Sequence, residues 1–235
     1  MAYREDHPWL AAGTHGGSPV AIVHSLESRW LAGAERRIRQ RPAAIHDDFP
    51  LVGRAVGRVP VRPETDPQGL VFGTVDDQAR ARLLAVLSEV LVADALEAEV
   101  GRLYRHGDDA ERRGVLRALP LLPGSLVDLG LELVADALRT NDPRLIAAAM
   151  GRFAADHLDQ AQWRQGVVKC LFTGVTLPAV ADLVARTDSE LLRMARDLAE
   201  ERLAAGREIT PDLRALLGMT VLMALVPPRA EDSRR

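Results

Sequence analysis

From Asp76 onward the sequence repeats one pattern, in which apolar residues recur every three or four positions and short breaks with proline, glycine or aspartate follow. That spacing places the apolar residues on one face of an α-helix. Connections of only a few residues favour antiparallel neighbours. We therefore predict an all-α fold, either an irregular helical bundle or a short HEAT-like stack of antiparallel helical hairpins.

Changes in composition divide the chain into four parts. The expected parts are a flexible leader (1–18), an N-terminal helix with a Pro- and Gly-rich connection (19–75), a main helical domain (76–226) and a flexible tail (227–235). Within the main domain, a long helix capped by Asp76 or Asp77 is predicted to reach about residue 106. A second one is predicted from 143 to about 158.

Charge and residue usage argue against several classes of protein. A net charge of -3 gives no overall attraction to nucleic acid, and a single cysteine cannot form an intramolecular disulfide. The first residues lack the apolar core of a signal peptide, and no apolar run approaches the roughly 18 residues of a membrane span. The histidines show no metal-ligand spacing. We expect a cytoplasmic protein without metal ion or cofactor, with no nucleic-acid partner and no membrane span.

A polar stripe marks the segment 161–173, which we predict to be a helix capped by Asp159 or a neighbour. At about 100° per residue, one sector roughly 100° wide contains Gln162, Gln165, Gly166, Lys169 and Thr173. Apolar side chains flank the sector on both sides, with Trp163 among them. Such a stripe is either solvated or lines a polar pocket between helices, and a glycine within it favours close approach of a ligand or another backbone.

Two residues of this region could take part in catalysis. His157 has the pKa range of a general acid or base, although a structural histidine at a helix end is the commoner case. Lys169, the only lysine of the chain, could act as a base or form a Schiff base if burial lowered its pKa. It could also bind an anionic group or extend to solvent. Cys170 lies on the Trp163 side of the helix and is expected to be a buried, inert thiol.

The same region resembles the signature of a known family. Residues 163–174, WRQGVVKCLFTG, are similar to the WNQMVLKALFxG signature of EboA-type metabolite-traffic proteins. Other similar segments follow in the family's order at 57–60, 117–121, 139–141 and 201–207. The resemblance covers roughly residues 50–215, and it departs from the family pattern at Arg164, Gly166 and 151–154. It implies ligand contacts at the matching residues Asn141, Trp163, Gln165 and Lys169, to which the stripe adds Gln162 and Thr173.

Three functions follow from these observations. The first is binding or hand-over of a specialised-metabolite (natural-product) intermediate in a pocket beside helix 161–173. Its partners would be a small-molecule metabolite and other enzymes of a biosynthetic cluster. The second is a cofactor-free natural-product biosynthetic enzyme of the cyclase, isomerase or condensing type that uses Lys169 and His157. The third is a helical scaffold protein without a pocket.

Overall fold

The structure is a computed structural model that describes the backbone of residues 19–225 and the side chains of 28–218. Within this range it is all-α, as predicted, and it contains no strand. An isolated antiparallel bridge joins Pro60 to Thr74. No helix of the described chain combines the length and apolar character needed to cross a membrane. The leader and tail predicted at 1–18 and 227–235 lie outside the described residues.

Thirteen α-helices follow one another along the described chain. They are α1 (Pro19–Gln40), α2 (Ile45–Asp48), α3 (Val52–Ala55), α4 (Val75–Val90), α5 (Ala93–His106), α6 (Asp109–Ala118), α7 (Val127–Arg139), α8 (Pro143–Ala149), α9 (Arg152–His157), α10 (Gln160–Thr173), α11 (Leu183–Arg186), α12 (Ser189–Ala204) and α13 (Pro211–Leu225). Single 3-10 turns occur at Pro42–Ala44, Leu119–Leu121, Gly124–Leu126 and Leu177–Ala179.

Helices α4 and α6 form the most extensive helix pair of the core. Helix α1 packs on α4, and α8 packs on α6 while it also contacts α7 and α10. Helix α12 contacts α10 and pairs with α13. On α4 the side chains of Leu83, Leu84 and Leu87 are completely buried, which agrees with their helical spacing. A continuous series of packed helix pairs therefore connects α1 to α13.

Aspartate side chains begin four of these helices. Asp108, Asp142, Asp159 and Asp188 cap α6, α8, α10 and α12, and each accepts a hydrogen bond of 2.8–2.9 Å from a backbone N–H of the first turn. The cap predicted at Asp159 is confirmed. Helix α10 ends at Gly174, which has a φ of 78° and thus the left-handed backbone that glycine adopts without strain.

The long helix predicted to reach residue 106 is broken at Leu91, so that prediction is wrong. Leu91 and Val92 have extended backbones, which separate α4 from α5. Before the break, the hydroxyl of Ser88 donates to the carbonyl of Ala85 at 2.7 Å. Such side-chain bonds compete with the helical pattern, and β-branched residues next to Leu91 weaken it further.

The helix predicted from 143 to about 158 is also divided. Gly151 has an extended backbone and separates α8 from α9. In a helix interior glycine costs about 1 kcal/mol relative to alanine, which favours a break at this position. After the break, α9 packs on α7 and on the 3-10 turn Leu119–Leu121.

A buried ion network fixes the start of α4 against α6. Arg80 Nη1 donates to Asp76 Oδ2 at 2.6 Å, and Arg113 Nε donates to Asp77 Oδ1 at 2.7 Å. These four residues are 0–6% exposed. Thr74 is the N-cap residue, where Asp76 or Asp77 had been predicted, and its hydroxyl bonds to Asp76 Oδ1 at 2.5 Å. Both aspartates pair with arginines from α4 and α6, and Asp77 also accepts from the Thr74 N–H in a capping box.

Close helix packing explains two glycines. A Cβ atom on Gly114 of α6 would lie 2.5 Å from Cδ and 2.8 Å from Cβ of Arg80. A Cβ atom on Gly166 of α10 would lie 2.3 Å from the Met150 sulfur. The neighbour that requires a glycine in the polar stripe is therefore a thioether of the core, not another backbone.

We expect Gly114→Ala to lower the free energy of unfolding by about 1–3 kcal/mol, because the buried ion pair prevents Arg80 from moving aside. Gly166→Ala should cost less, since the Met150 side chain is flexible. Gly33→Ala is the matched control on α1, where a new Cβ would approach Arg37 Nη1 no closer than 3.4 Å. Chemical denaturation followed by circular dichroism measures all three. Equal stabilities of the Gly114 and Gly33 variants would contradict this packing argument.

Candidate functional site

The polar stripe predicted on α10 lies mostly at the surface. Gln162 and Gln165 are exposed, and Lys169 and Thr173 are partly buried. The Lys169 ammonium donates to Asn141 Oδ1 at 2.8 Å, and the Thr173 hydroxyl donates to the Lys169 carbonyl at 2.8 Å. The structure thus brings Lys169 and Asn141 together. The side chains of both glutamines form no hydrogen bond within the described chain and face water.

Trp163 is completely buried, and its Nε1 has no hydrogen-bond acceptor among the described residues. The Arg186 guanidinium lies 4.9 Å from the centroid of its ring. Arg186 also donates to the carbonyls of Ala155 at 2.8 Å and Leu158 at 2.9 Å, at the end of α9. Together, Trp163 and Arg186 join α10 to the end of α9.

His157 lies in the last turn of α9, and its ring centroid is 4.6 Å from that of Phe153. With Asp156 and the segment 119–127, both rings line a cavity of about 70 Å³. A cavity of this size holds one or two water molecules. Lys169 does not line it, so the two predicted catalytic residues face different surroundings.

The remaining candidates for chemistry are the Cys170 thiol and groups of potential metal ligands. Cys170 is completely buried, and burial raises the pKa of its thiol to about 12. The predicted burial of this thiol is therefore confirmed, and a raised pKa leaves little reactive thiolate near neutral pH. Among the described residues, no group of three or more His, Cys, Asp and Glu side chains could hold a metal ion.

Phe153 also lines a larger cavity of about 220 Å³, where α4, α6, α8 and α9 meet the segment before α4. The lining residues are mostly apolar, and α10 contributes none of them. They are Val71, Phe72, Asp77, Gln78, Ala81, Leu116, Arg117, Pro120, Ala148, Gly151, Arg152 and Phe153. Small side chains at Ala81 and Ala148 leave room between the helices, and the two phenylalanines bound that space.

The segment 66–72 forms one wall of the cavity without regular secondary structure. The buried Asp66 carboxylate accepts hydrogen bonds from the backbone N–H groups of Leu70, Val71 and Phe72 at 2.8–2.9 Å. Arg117 donates to the carbonyls of Leu70 at 2.6 Å and Val71 at 3.0 Å. A carboxylate and a guanidinium therefore hold the same few peptide groups in place.

Two polar side chains of the cavity wall are incompletely bonded. Gln78 Nε2 and Arg117 Nε are buried, and neither has a hydrogen-bond partner in the part of the chain that the structure describes. Burial lowers the pKa of the Arg117 guanidinium, while the nearby Asp77 opposes this effect. Buried polar groups without partners are uncommon in proteins and often mark the place of a ligand or water.

The residues predicted from the sequence and the lining of this cavity do not overlap. Local helical spacing could not indicate the cavity, because its wall comes from four segments of the chain. The available signal was the segment 117–121, one of those that resemble the family, which supplies Arg117 and Pro120. The wall formed by 151–153 lies where the sequence departs from the family pattern.

These features define a small all-α protein with a mostly apolar cavity between its helices. The family model described as metabolite traffic protein EboA matches residues 23–218. The chain therefore belongs to the EboA family, which confirms the resemblance seen in the sequence. No curated protein and no solved structure matches the chain.

Proposed function

We propose that the protein binds a small intermediate of specialised metabolism in the cavity lined by Phe72, Ala81 and Phe153, and hands it on to another protein. The observation that supports this proposal is the cavity itself, whose apolar wall contains a few polar groups. Small-molecule sites in proteins commonly have this composition. The family description, metabolite traffic, supports transport or hand-over of such a molecule.

The size of the cavity limits the ligand. An engineered apolar cavity of about 150 Å³ is sufficient to bind benzene. A cavity of about 220 Å³ therefore has room for a substituted ring or a short branched chain. Burial of apolar ligand surface would supply most of the binding free energy, at about 25 cal/mol per Å².

One wall of the cavity resembles the family and the other does not, which supports the proposal that the ligand differs from those of other family members. Arg117 and Pro120 belong to a segment that resembles the family, whereas Gly151, Arg152 and Phe153 replace the family's pattern. Gly151 leaves space beside Phe153, and Phe153 is itself a large part of the wall. We therefore propose that α9 determines which metabolite fits.

The residues predicted from the sequence remain a separate proposal. His157 contacts Phe153, so it could act on a ligand in the larger cavity only through that ring or after the ring moves. Lys169 and Asn141, with Gln162, Gln165 and Thr173 on the same helix face, could contact a ligand only at a second site near the surface. The alternative of an enzyme that uses Lys169 and His157 requires a substrate to reach both.

Substitution of Ala81 tests the proposal. We expect Ala81→Leu to abolish capture of a metabolite from an extract of the producing organism, because the larger side chain fills the cavity. Ala85→Leu, the same change one helical turn later, should leave capture intact, since Ala85 does not line the cavity. Native mass spectrometry identifies the retained compound, and circular dichroism establishes that both variants are folded.

Two further variants distinguish the alternatives. Loss of capture in Lys169→Met, with capture retained in Ala81→Leu, would overturn the cavity as the site. A product formed by the unaltered chain and absent with Lys169→Met or His157→Ala would favour the enzyme. If neither the unaltered chain nor any variant captured or converted a compound, a helical scaffold would be the better account.

A further inference from the structure

The Arg117 guanidinium has more N–H donors than the surrounding protein supplies acceptors. Its Nη2 donates to the carbonyls of Leu70 at 2.6 Å and Gly69 at 3.5 Å, and its Nη1 donates to that of Val71 at 3.0 Å. A guanidinium has five N–H hydrogens, so three carbonyls leave two of them without a partner. One belongs to Nε, which is buried without a partner in the described chain. The other belongs to Nη1.

The charge of Arg117 also lacks a direct counterpart. Its partners are neutral carbonyls, and it forms no ion pair with a carboxylate of the described chain. Asp77, which lines the same cavity, already accepts from Arg113 Nε at 2.7 and 2.9 Å and from the Thr74 N–H at 3.0 Å. The other cation of the wall, Arg152, pairs with Asp156 and Asp182. Asp77 and Asp66 favour the charged form of Arg117 without contacting it, and a ligand carboxylate would bind the guanidinium directly.

Gln78 adds a second donor to the same wall. Its side-chain amide forms no hydrogen bond with the described chain, and its Nε2 is buried. Because a half-turn about the last torsion exchanges the amide oxygen and nitrogen, the NH2 group can turn toward a ligand acceptor. Arg117 and Gln78 thus offer donors to one ligand group, while the carboxylate beside them has its acceptors occupied.

We infer that the ligand is an amphipathic organic acid, whose single carboxylate accepts hydrogen bonds from the Arg117 guanidinium and the Gln78 amide while its apolar body fills the cavity. This inference rests on the proposed function. The unpartnered donors of Arg117 and Gln78 match the two oxygens of one carboxylate. A diphosphate would bring further charge next to Asp77, and an amine would place a cation against Arg117.

Four probes with one skeleton test the inference by isothermal titration calorimetry: cinnamate, cinnamyl alcohol, cinnamylamine and cinnamyl phosphate. We expect the unaltered protein to bind cinnamate at least about tenfold more tightly than the alcohol, as a charge-assisted hydrogen bond predicts. This ratio should decrease in Gln78→Met and in Arg117→Lys, which keeps the charge but loses the planar donor pair. Ala81→Leu should bind neither compound.

The outcomes separate the two proposals. Equal affinity for the acid and the alcohol, with both lost in Ala81→Leu, would overturn the carboxylate assignment and leave the cavity as the binding site. Tightest binding of the phosphate or the amine would also overturn it, because it would show a different charge preference. Binding of none of the four would count against both the carboxylate and the cavity. A preference for cinnamate that persists unchanged in Gln78→Met and Arg117→Lys would overturn the roles of these two residues.

Discussion

Replacement of Arg113 by methionine is expected to lower the free energy of unfolding by about 3–5 kcal/mol, the cost of leaving a buried charge without its partner. Arg113 Nε donates to both oxygens of Asp77, at 2.7 and 2.9 Å, and its Nη2 donates to the Thr74 hydroxyl at 3.0 Å. Without it, the carboxylate of Asp77 would stay in the core with only the Thr74 N–H as a donor. Methionine fills a similar volume, so the loss measures electrostatics more than packing.

Arg105→Met is the matched control for this prediction. Arg105 forms an ion pair of 3.1 Å with Glu132 in which both side chains are more than half exposed, at 52% and 61%. Exposed pairs contribute about 0–1 kcal/mol, so this variant should remain close to the unaltered protein. Urea denaturation followed by circular dichroism compares the two. If Arg113→Met were no less stable than Arg105→Met, the buried network would not hold α4 against α6 in the way described.

Asp66→Ala is expected to lower the free energy of unfolding by about 3 kcal/mol, because three backbone N–H groups lose a charged acceptor. The bonds from Leu70, Val71 and Phe72 are all 2.8–2.9 Å long, and they determine the path of the cavity wall. The substitution should also weaken metabolite capture, since Val71 and Phe72 line the cavity. Ala81→Leu, in contrast, should abolish metabolite capture and leave the conformation of segment 66–72 unchanged.

Hydrogen exchange at the amides of Leu70, Val71 and Phe72 measures the first effect directly. We expect exchange to accelerate strongly in Asp66→Ala and less in Asp66→Asn, which keeps one acceptor oxygen. Amides in α12, far along the chain, report any global loss of stability and serve as the internal control. Unchanged protection at these three amides would contradict the role assigned to Asp66.

Local features of α10 could be read from its sequence because they depend on neighbouring residues. The cap at Asp159, the end at Gly174 and the burial of Trp163 and Cys170 all follow from helical spacing and end signals. The surroundings of Gly166 could not be predicted in the same way. Only the packing of α8 on α10 shows that the Met150 thioether requires a glycine there.

The cavity could not be predicted because no local pattern describes it. Phe72, Ala81, Arg117 and Phe153 lie in four segments that come together only through packing of α4 and α6 with α8 and α9. Apolar residues at such positions resemble any other part of a core, and Arg117 resembles any arginine near a helix end. The missing partner of its guanidinium becomes visible only when its carbonyl contacts are known.

The central claim is that the metabolite binds in the cavity between Phe72 and Phe153, and a crystal structure with the captured compound tests it most directly. We expect ligand density between these two rings, with an oxygen of the compound within hydrogen-bonding distance of the Arg117 guanidinium. Ligand density on the face of α10 beside Lys169 and Asn141, with the cavity closed by protein side chains, would contradict the claim. Such a result would place the binding site at the polar stripe of α10, as the sequence predicted.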